Sequence, residues 1–200
     1  STITFLLIYL ATFTKGYGYF IDEFYYIACA NNPAFGYVDH PPLAPLLLTV
    51  FQFLFGSSLY TIRILPALAE TAAVFYTGIL VKEIGGNKFA QFIAACSVAA
   101  MPVTIAFGTF YSMNAFEPLL AVLLLLVTVR MIKSENSKLW IQVGIIMGLG
   151  MMNKHTFGVF IIALLLTLIL SGKWKLLFSK WFVIGGAIGL FIFLPNIIWQ

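Results

Sequence analysis

Four of the chain's seven acidic residues stand in short polar segments rich in aromatic residues and proline. The first segment runs Gly18-Tyr19-Phe20-Ile21-Asp22-Glu23-Phe24-Tyr25-Tyr26. A carboxylate here can take a proton from a hydroxyl as a general base, or accept the free N–H groups of a helix start. Asp22 and Glu23 are successive, so on a helix they point about 100° apart and should not share one role. Tyr25 and Tyr26, three and four residues on, lie on the face of Asp22. The second segment is Asp39-His40-Pro41-Pro42. Its prolines hold His40 extended, and a carboxylate beside an imidazole suits a metal, a phosphate or a hydroxyl. The same composition suits a plain turn. The third, Tyr111 to Pro118, holds Asn114 and Glu117. A carboxylate at a helix start is favoured by the macrodipole, and Asn114 could cap the same helix. Cations follow in Asn153-Lys154-His155-Thr156 and at Arg63. Lys154 can snorkel to an interface or partner an anion, and Arg63 can reach toward the segment of acids or toward Glu70.

The elements that position these residues are apolar. The 200 residues are 62% hydrophobic and 9% charged, with a mean hydropathy of +1.01. Soluble domains carry roughly 25% charge, and a fold of this size has too much surface to hide so many apolar side chains. Disorder needs the opposite composition. A polytopic membrane protein remains. Apolar runs fall near 3–14, 43–55, 60–81, 89–107, 117–132, 139–153, 156–170 and 181–199. They lack the alternation of a membrane β-barrel, so helices are expected. The run at 43–55 follows Pro41 and Pro42 and would make about 20 Å of helix, short of a bilayer core of about 30 Å. It reads as an interfacial or re-entrant helix. The stretch 139–171 reads as a helical hairpin with Lys154 and His155 at its tip. The expected total is seven spans.

Charge sets the orientation. Lys82, Lys88, Arg130, Lys133, Lys138, Lys173, Lys175 and Lys180 are eight of the eleven basic residues and crowd three short loops. Those loops are expected in the cytoplasm, with the N-terminus inside and the C-terminus outside. Asp22, Glu23, Asp39, His40, Arg63, Glu117, Lys154 and His155 then gather on the outer side. The net charge of +4 is thereby explained by topology, without nucleic acid. Cys29 and Cys96, 67 positions apart, are not expected to pair. The chain begins at Ser1 and ends at Gln200 without a polar tail, and reads as the N-terminal part of a longer protein.

In order and spacing these motifs resemble the polyprenyl-phosphate-dependent glycosyltransferases of the GT-C fold. The similar branches are the dolichyl-phosphate-mannose protein mannosyltransferase-like group and the aminoarabinose transferases of lipid A. The resemblance is carried by Asp22-Glu23, by Asp39-His40-Pro41-Pro42-Leu43, by Arg63-Ile64-Leu65-Pro66-Ala67-Leu68, by Glu117-Pro118, and by a Gly-rich span ending at Asn153-Lys154. The family often has Asp at the place of Glu117, Lys at that of His40 and Gly at that of His155. The resemblance implies an all-α transmembrane bundle over residues 1–200. It implies a bacterial or archaeal cytoplasmic-membrane enzyme with its active site on the outer face. A sugar would pass from a polyprenyl phosphate to a hydroxyl of a glycan, lipid or protein, with inversion. Asp22, with Glu23, would be catalytic. Lys154, Arg63, His40 and His155 would meet the donor phosphate. Glu117, Tyr25, Tyr26 and Asn114 would contact substrate or support the site. Asp39, with His40 or Glu23, would hold a divalent metal ion where one is used. The competing expectation is a transporter or flippase for a lipid-linked or anionic substrate. Such proteins place binding groups at the midplane on repeated, broken helices. Here no repeat is evident, and Glu70 is the main midplane charge.

Overall fold

The computed structural model describes residues 2–12 and 18–200. The end of the expected first span, at 13–14, and the start of the loop that follows lie outside them. The described residues form eleven α-helices and no strand. These are α1 (Thr2–Ala11), α2 (Ile21–Asn31), α3 (Leu43–Phe55), α4 (Leu59–Ile62), α5 (Ile64–Glu83), α6 (Lys88–Ala99), α7 (Pro102–Thr109), α8 (Glu117–Ser134), α9 (Trp140–Asn153), α10 (Gly158–Leu170) and α11 (Lys180–Trp199). Short 3-10 turns precede α8, α9, α10 and α11.

Local sequence sets most of these limits. Ser58, Asn87 and Ser179 cap α4, α6 and α11, each side-chain oxygen accepting a backbone N–H of the first turn. Gly85, at φ +101°, supplies the left-handed step after α5. The short helix expected at 43–55 is α3, with the same limits. The hairpin stretch divides at Lys154, as its charge suggested, into α9 and α10.

Three expectations change. The run 89–107 is not one straight span: it breaks into α6 and α7, bent by 58°. Met101, held extended before Pro102, cannot continue the helix. Asp22 does not cap α2. The cap lies two residues earlier, at Phe20, and it is Glu23 that accepts the Phe20 N–H at 2.8 Å. Asn114 does not cap α8, whose N-terminal boundary is Phe116. By length and apolarity, three helices among the described residues can cross a membrane, Leu59–Glu83, Met113–Ser134 and Lys180–Trp199. Counted as one broken span, the bent pair α6 and α7 makes a fourth. Helices α1, α9 and α10 have 10, 14 and 13 residues. At 1.5 Å per residue that is shorter than a crossing of about 30 Å, so helix length alone does not reach seven.

Two cores hold the bundle. Leu120, Leu124, Val127 and Met131 of α8 bury against Trp140, Val143 and Met147 of α9 and Leu164 and Leu168 of α10. Tyr26, Ala30, Leu48, Ile62, Ala69, Tyr111 and Phe116 bury around α2, α3 and α5. Helices α9 and α11 touch through glycine. A Cβ on Gly144 would lie 2.0 Å from the Gly185 carbonyl oxygen, and one on Gly185 would lie 2.2 Å from that of Trp140. Small residues let backbones meet in this way without polar glue. Large apolar side chains such as Leu7, Phe53, Phe89 and Phe191 stay exposed on the outside, which suits a lipid surround. Glu70 lies fully buried on α5, its stem 3.5 Å from where a Cβ of Gly108 on α7 would sit.

Candidate active site

The polar segments converge at one end of the bundle. The start of α2, the loop before α3, the start of α5, the turn before α8 and the end of α9 meet there. At its base is a buried knot. Glu23, fully buried, takes two hydrogen bonds from Arg63, from Nε at 2.8 Å and from Nη2 at 2.6 Å. The remaining lone pairs of Glu23 are used as well. Glu23 also accepts the N–H groups of Phe20 and, at 3.0 Å, Tyr111, while Arg63 donates to the Gly18 carbonyl at 2.9 Å. A bidentate pair with its spare lone pairs satisfied can tolerate burial. The partner of Arg63 is therefore Glu23 and not Glu70. Both groups are turned inward, and they tie α2, α5 and the chain before α8 together. Asp22, the next residue round the helix, is exposed.

Above the knot lies an aromatic cluster around His40, which is 2% exposed. Its ring stacks on Tyr26 at 4.9 Å and meets Tyr25 and Tyr37 at 5.3 and 5.2 Å. Its Nδ1 lies 2.9 Å from the Pro41 carbonyl. A carbonyl only accepts, so Nδ1 carries a proton, and Nε2 is buried without a protein partner. The Tyr25 hydroxyl donates to Asp39 at 2.6 Å. Burial, and then that bond, raise the Tyr25 phenol above its ordinary value. Burial also pushes the Tyr26 phenol up to about 12, opposed by a hydrogen bond with the Met113 backbone and aided by the charge of Asp22.

Lys154 completes the site. It donates to the Glu117 carboxylate at 3.0 Å and to the Asn114 side-chain oxygen at 3.1 Å. The preceding Asn153, fully buried, donates to the Met113 carbonyl at 2.9 Å. Asp22, Tyr26, Met113 and the end of α9 thus form one chain of neighbours. The Lys154 side chain is 30% exposed, so it is reachable. An exposed carboxylate and a partly exposed ammonium at one end can accept a proton and meet an anion.

Residues 39–199 match the dolichyl-phosphate-mannose-protein mannosyltransferase family. The chain belongs to that family. It is also similar to a polyprenol-phosphate-mannose–protein mannosyltransferase of Corynebacterium glutamicum, 29% identical over 86 residues. That match takes 43% of this chain and 16% of the relative, so the chain spans a minor part of the relative's length. No solved structure matches. As a member of the mannosyltransferase family, the chain is a glycosyltransferase-family membrane protein built of helices.

Against that family the residues sort by position. Asn114, Glu117 and Lys154 come together, as do Tyr25, Asp39 and His40, while Asp22 is exposed one turn before Tyr26, which meets the Met113 backbone. Glu23 and Arg63 hold each other below the surface. His155 turns aside: its Nε2 lies 2.9 Å from the Asn196 side-chain oxygen on α11, and Asn196 donates to the Phe35 carbonyl at 2.9 Å. A metal donor set does not assemble. Among the described residues no three His, Cys, Asp or Glu side chains gather. Asp39 is held by Tyr25, the Nδ1 of His40 faces a carbonyl, and Glu23 is held by Arg63. Tyr111 was not expected to matter. Its hydroxyl donates to the Ala44 carbonyl at 2.7 Å and its N–H to Glu23, fastening α3 to the knot. The signal was there in sequence, a buried aromatic just past the helix break, but its partners lie 67 and 88 positions away. Cys29 and Cys96 are both free.

Proposed function

We propose that the chain is the N-terminal part of a glycosyltransferase that moves a sugar, mannose in the first instance, from a polyprenyl phosphate to an acceptor hydroxyl. The single observation that carries the reading is Lys154, poised between Glu117 and Asn114 at the end of the bundle where Asp22 is exposed. In the proposed step Asp22 takes the acceptor proton as its oxygen attacks the anomeric carbon. The bond from that carbon to the phosphate oxygen breaks, its electron pair leaves with the lipid phosphate, and the configuration inverts. Phosphate is a good leaving group, so no acid is needed. Lys154 meets the charge that grows on it, an arrangement set before reaction. Glu117 and Asn114 hold the ammonium in place, and Glu23 with Arg63 fix the start of α2 and hence Asp22. The crowding of basic residues at the opposite end supports an extracytoplasmic reaction. No step requires a metal.

The test is transfer from polyprenyl-phosphate-mannose, and from a panel of other polyprenyl-phosphate sugars, by the full-length protein in membranes. A product of inverted anomeric configuration, dependent on the lipid-linked donor, is the expected result. Transfer from a nucleotide sugar, with none from any lipid-linked donor, overturns the reading.

A further inference from the structure

The proposed reaction leaves two hollows unused, one running along α9 and one at the end of the bundle opposite the candidate active site. The first is an apolar groove of about 320 Å³ between α9, α10 and α11, lined among others by Trp140, Gly148, Leu165, Gly186 and Phe193. It follows α9 from Trp140 to Met151, roughly 16 Å at the rise of an α-helix. The second, of about 410 Å³, lies between the turn before α9 and the turn before α11, and Ser137, Lys173, Lys175, Ser179 and Glu135 line it. The two hollows adjoin. Trp140, in the wall of the first, donates its indole N–H at 2.9 Å to the carbonyl of Leu176, in the wall of the second.

The chemistry of the pair is amphipathic. Glu135 is the single acid in the second hollow, and Lys173 already engages it. That leaves Lys175, with Lys138 and Lys180 close by over the ring of Trp181, at 5.9 and 5.4 Å. Trp174 and Phe178 stand 49% and 81% exposed beside it, as aromatic residues do at a membrane interface. A phosphate in the basic hollow and a hydrocarbon chain in the groove would satisfy both. Basic pockets at helix ends bind anionic lipid head groups in this manner.

We infer that the groove between α9, α10 and α11 and the basic hollow at its end form one binding site for an anionic phospholipid. The site is separate from that of the glycosyl donor. Glu117 and Glu135 bracket the 18 residues of α8, so the two phosphate positions lie roughly 27 Å apart. Bound there, the lipid would fill the space that the glycine contacts leave beside α11 and lock α11 against α9.

Native mass spectrometry of the delipidated full-length protein tests this, with phosphatidylglycerol, phosphatidylcholine and a short polyprenyl phosphate as probes. One phosphatidylglycerol should be retained about tenfold more strongly than phosphatidylcholine. Lys175→Glu should cut that retention about tenfold, and Lys175→Arg should keep it. Gly186→Phe, at a position with open space before it, should plug the groove and weaken both phospholipids. Equal retention of the two phospholipids overturns the proposal, as does a Lys175→Glu protein that binds like the wild type. Displacement of phosphatidylglycerol by polyprenyl phosphate at equal concentration also overturns it and assigns the groove to the donor.

Discussion

Asp22 and Glu23 are adjacent carboxylates with opposite fates. Glu23 points into the bundle and satisfies four donors, from Phe20, Tyr111 and Arg63 twice. Asp22 points out. Asp22→Asn should therefore lower turnover by about 100-fold or more, the ordinary contribution of a general base, with unchanged thermal unfolding. Transfer at the wild-type rate would remove Asp22 from that role. Lys154→Ala should weaken donor binding by about tenfold, equivalent to about 1.4 kcal/mol, measured by titration with polyprenyl phosphate. Lys154→Arg should recover most of it if charge is what matters. The Glu23–Arg63 pair predicts a different signature. Arg63→Met strands a buried carboxylate and should cost about 3–5 kcal/mol of stability. Glu23→Gln with Arg63→Met should lose less than the single change, read as the midpoint of thermal unfolding in detergent. Additive losses would show that the pair is not the unit.

At the scale of elements, the site depends on breaks. Helix α3 begins after two prolines, and α7 begins at a proline that bends the chain by 58° from α6. These interruptions let Tyr111 and Asn114 reach the site instead of continuing a span. The glycine contact of α9 with α11 is the other decisive element, because it holds Lys154 and His155 at a fixed distance from α11. Gly185→Leu would drive a side chain into the Trp140 carbonyl, 2.2 Å from the Cβ position, and should destabilise by more than the 1–3 kcal/mol of ordinary overpacking. Gly186→Ala meets nothing within 4 Å and serves as the neighbouring control. Equal unfolding midpoints for the two variants would refute the contact.

Over the whole molecule, charge separates by end. Arg130 pairs with Glu83, and Lys173 with Glu135, at the basic end. The remaining acids other than Glu70 lie at the other end. The proposed orientation predicts that, in a protein free of native cysteines, Val38→Cys is labelled in intact cells by a membrane-impermeant maleimide. Ile84→Cys should be labelled only after permeabilisation. Both positions are well exposed, at 97% and 64%. The reverse pattern would invert the topology and move the active site to the cytoplasm.

Composition determined the environment, because no soluble arrangement hides this much apolar surface, and the lack of alternation in the apolar runs determined the helical class. Proline and charge alone placed α3 at 43–55 and the division at Lys154, since local sterics and desolvation act wherever the chain folds. Resemblance of motif order supplied the family and nominated Asp22 and Lys154. Partners were another matter. Arg63 was left between the acidic segment and Glu70 and found Glu23, 40 positions away; Asn114 was offered as a cap and holds Lys154, also 40 positions away. His155 was grouped with the phosphate-binding cations and instead faces Asn196, across 41 positions. A residue's type fixes what it can bond, but which partner it meets depends on how the helices pack. That packing is set by glycine contacts and buried pairs between segments far apart in the chain.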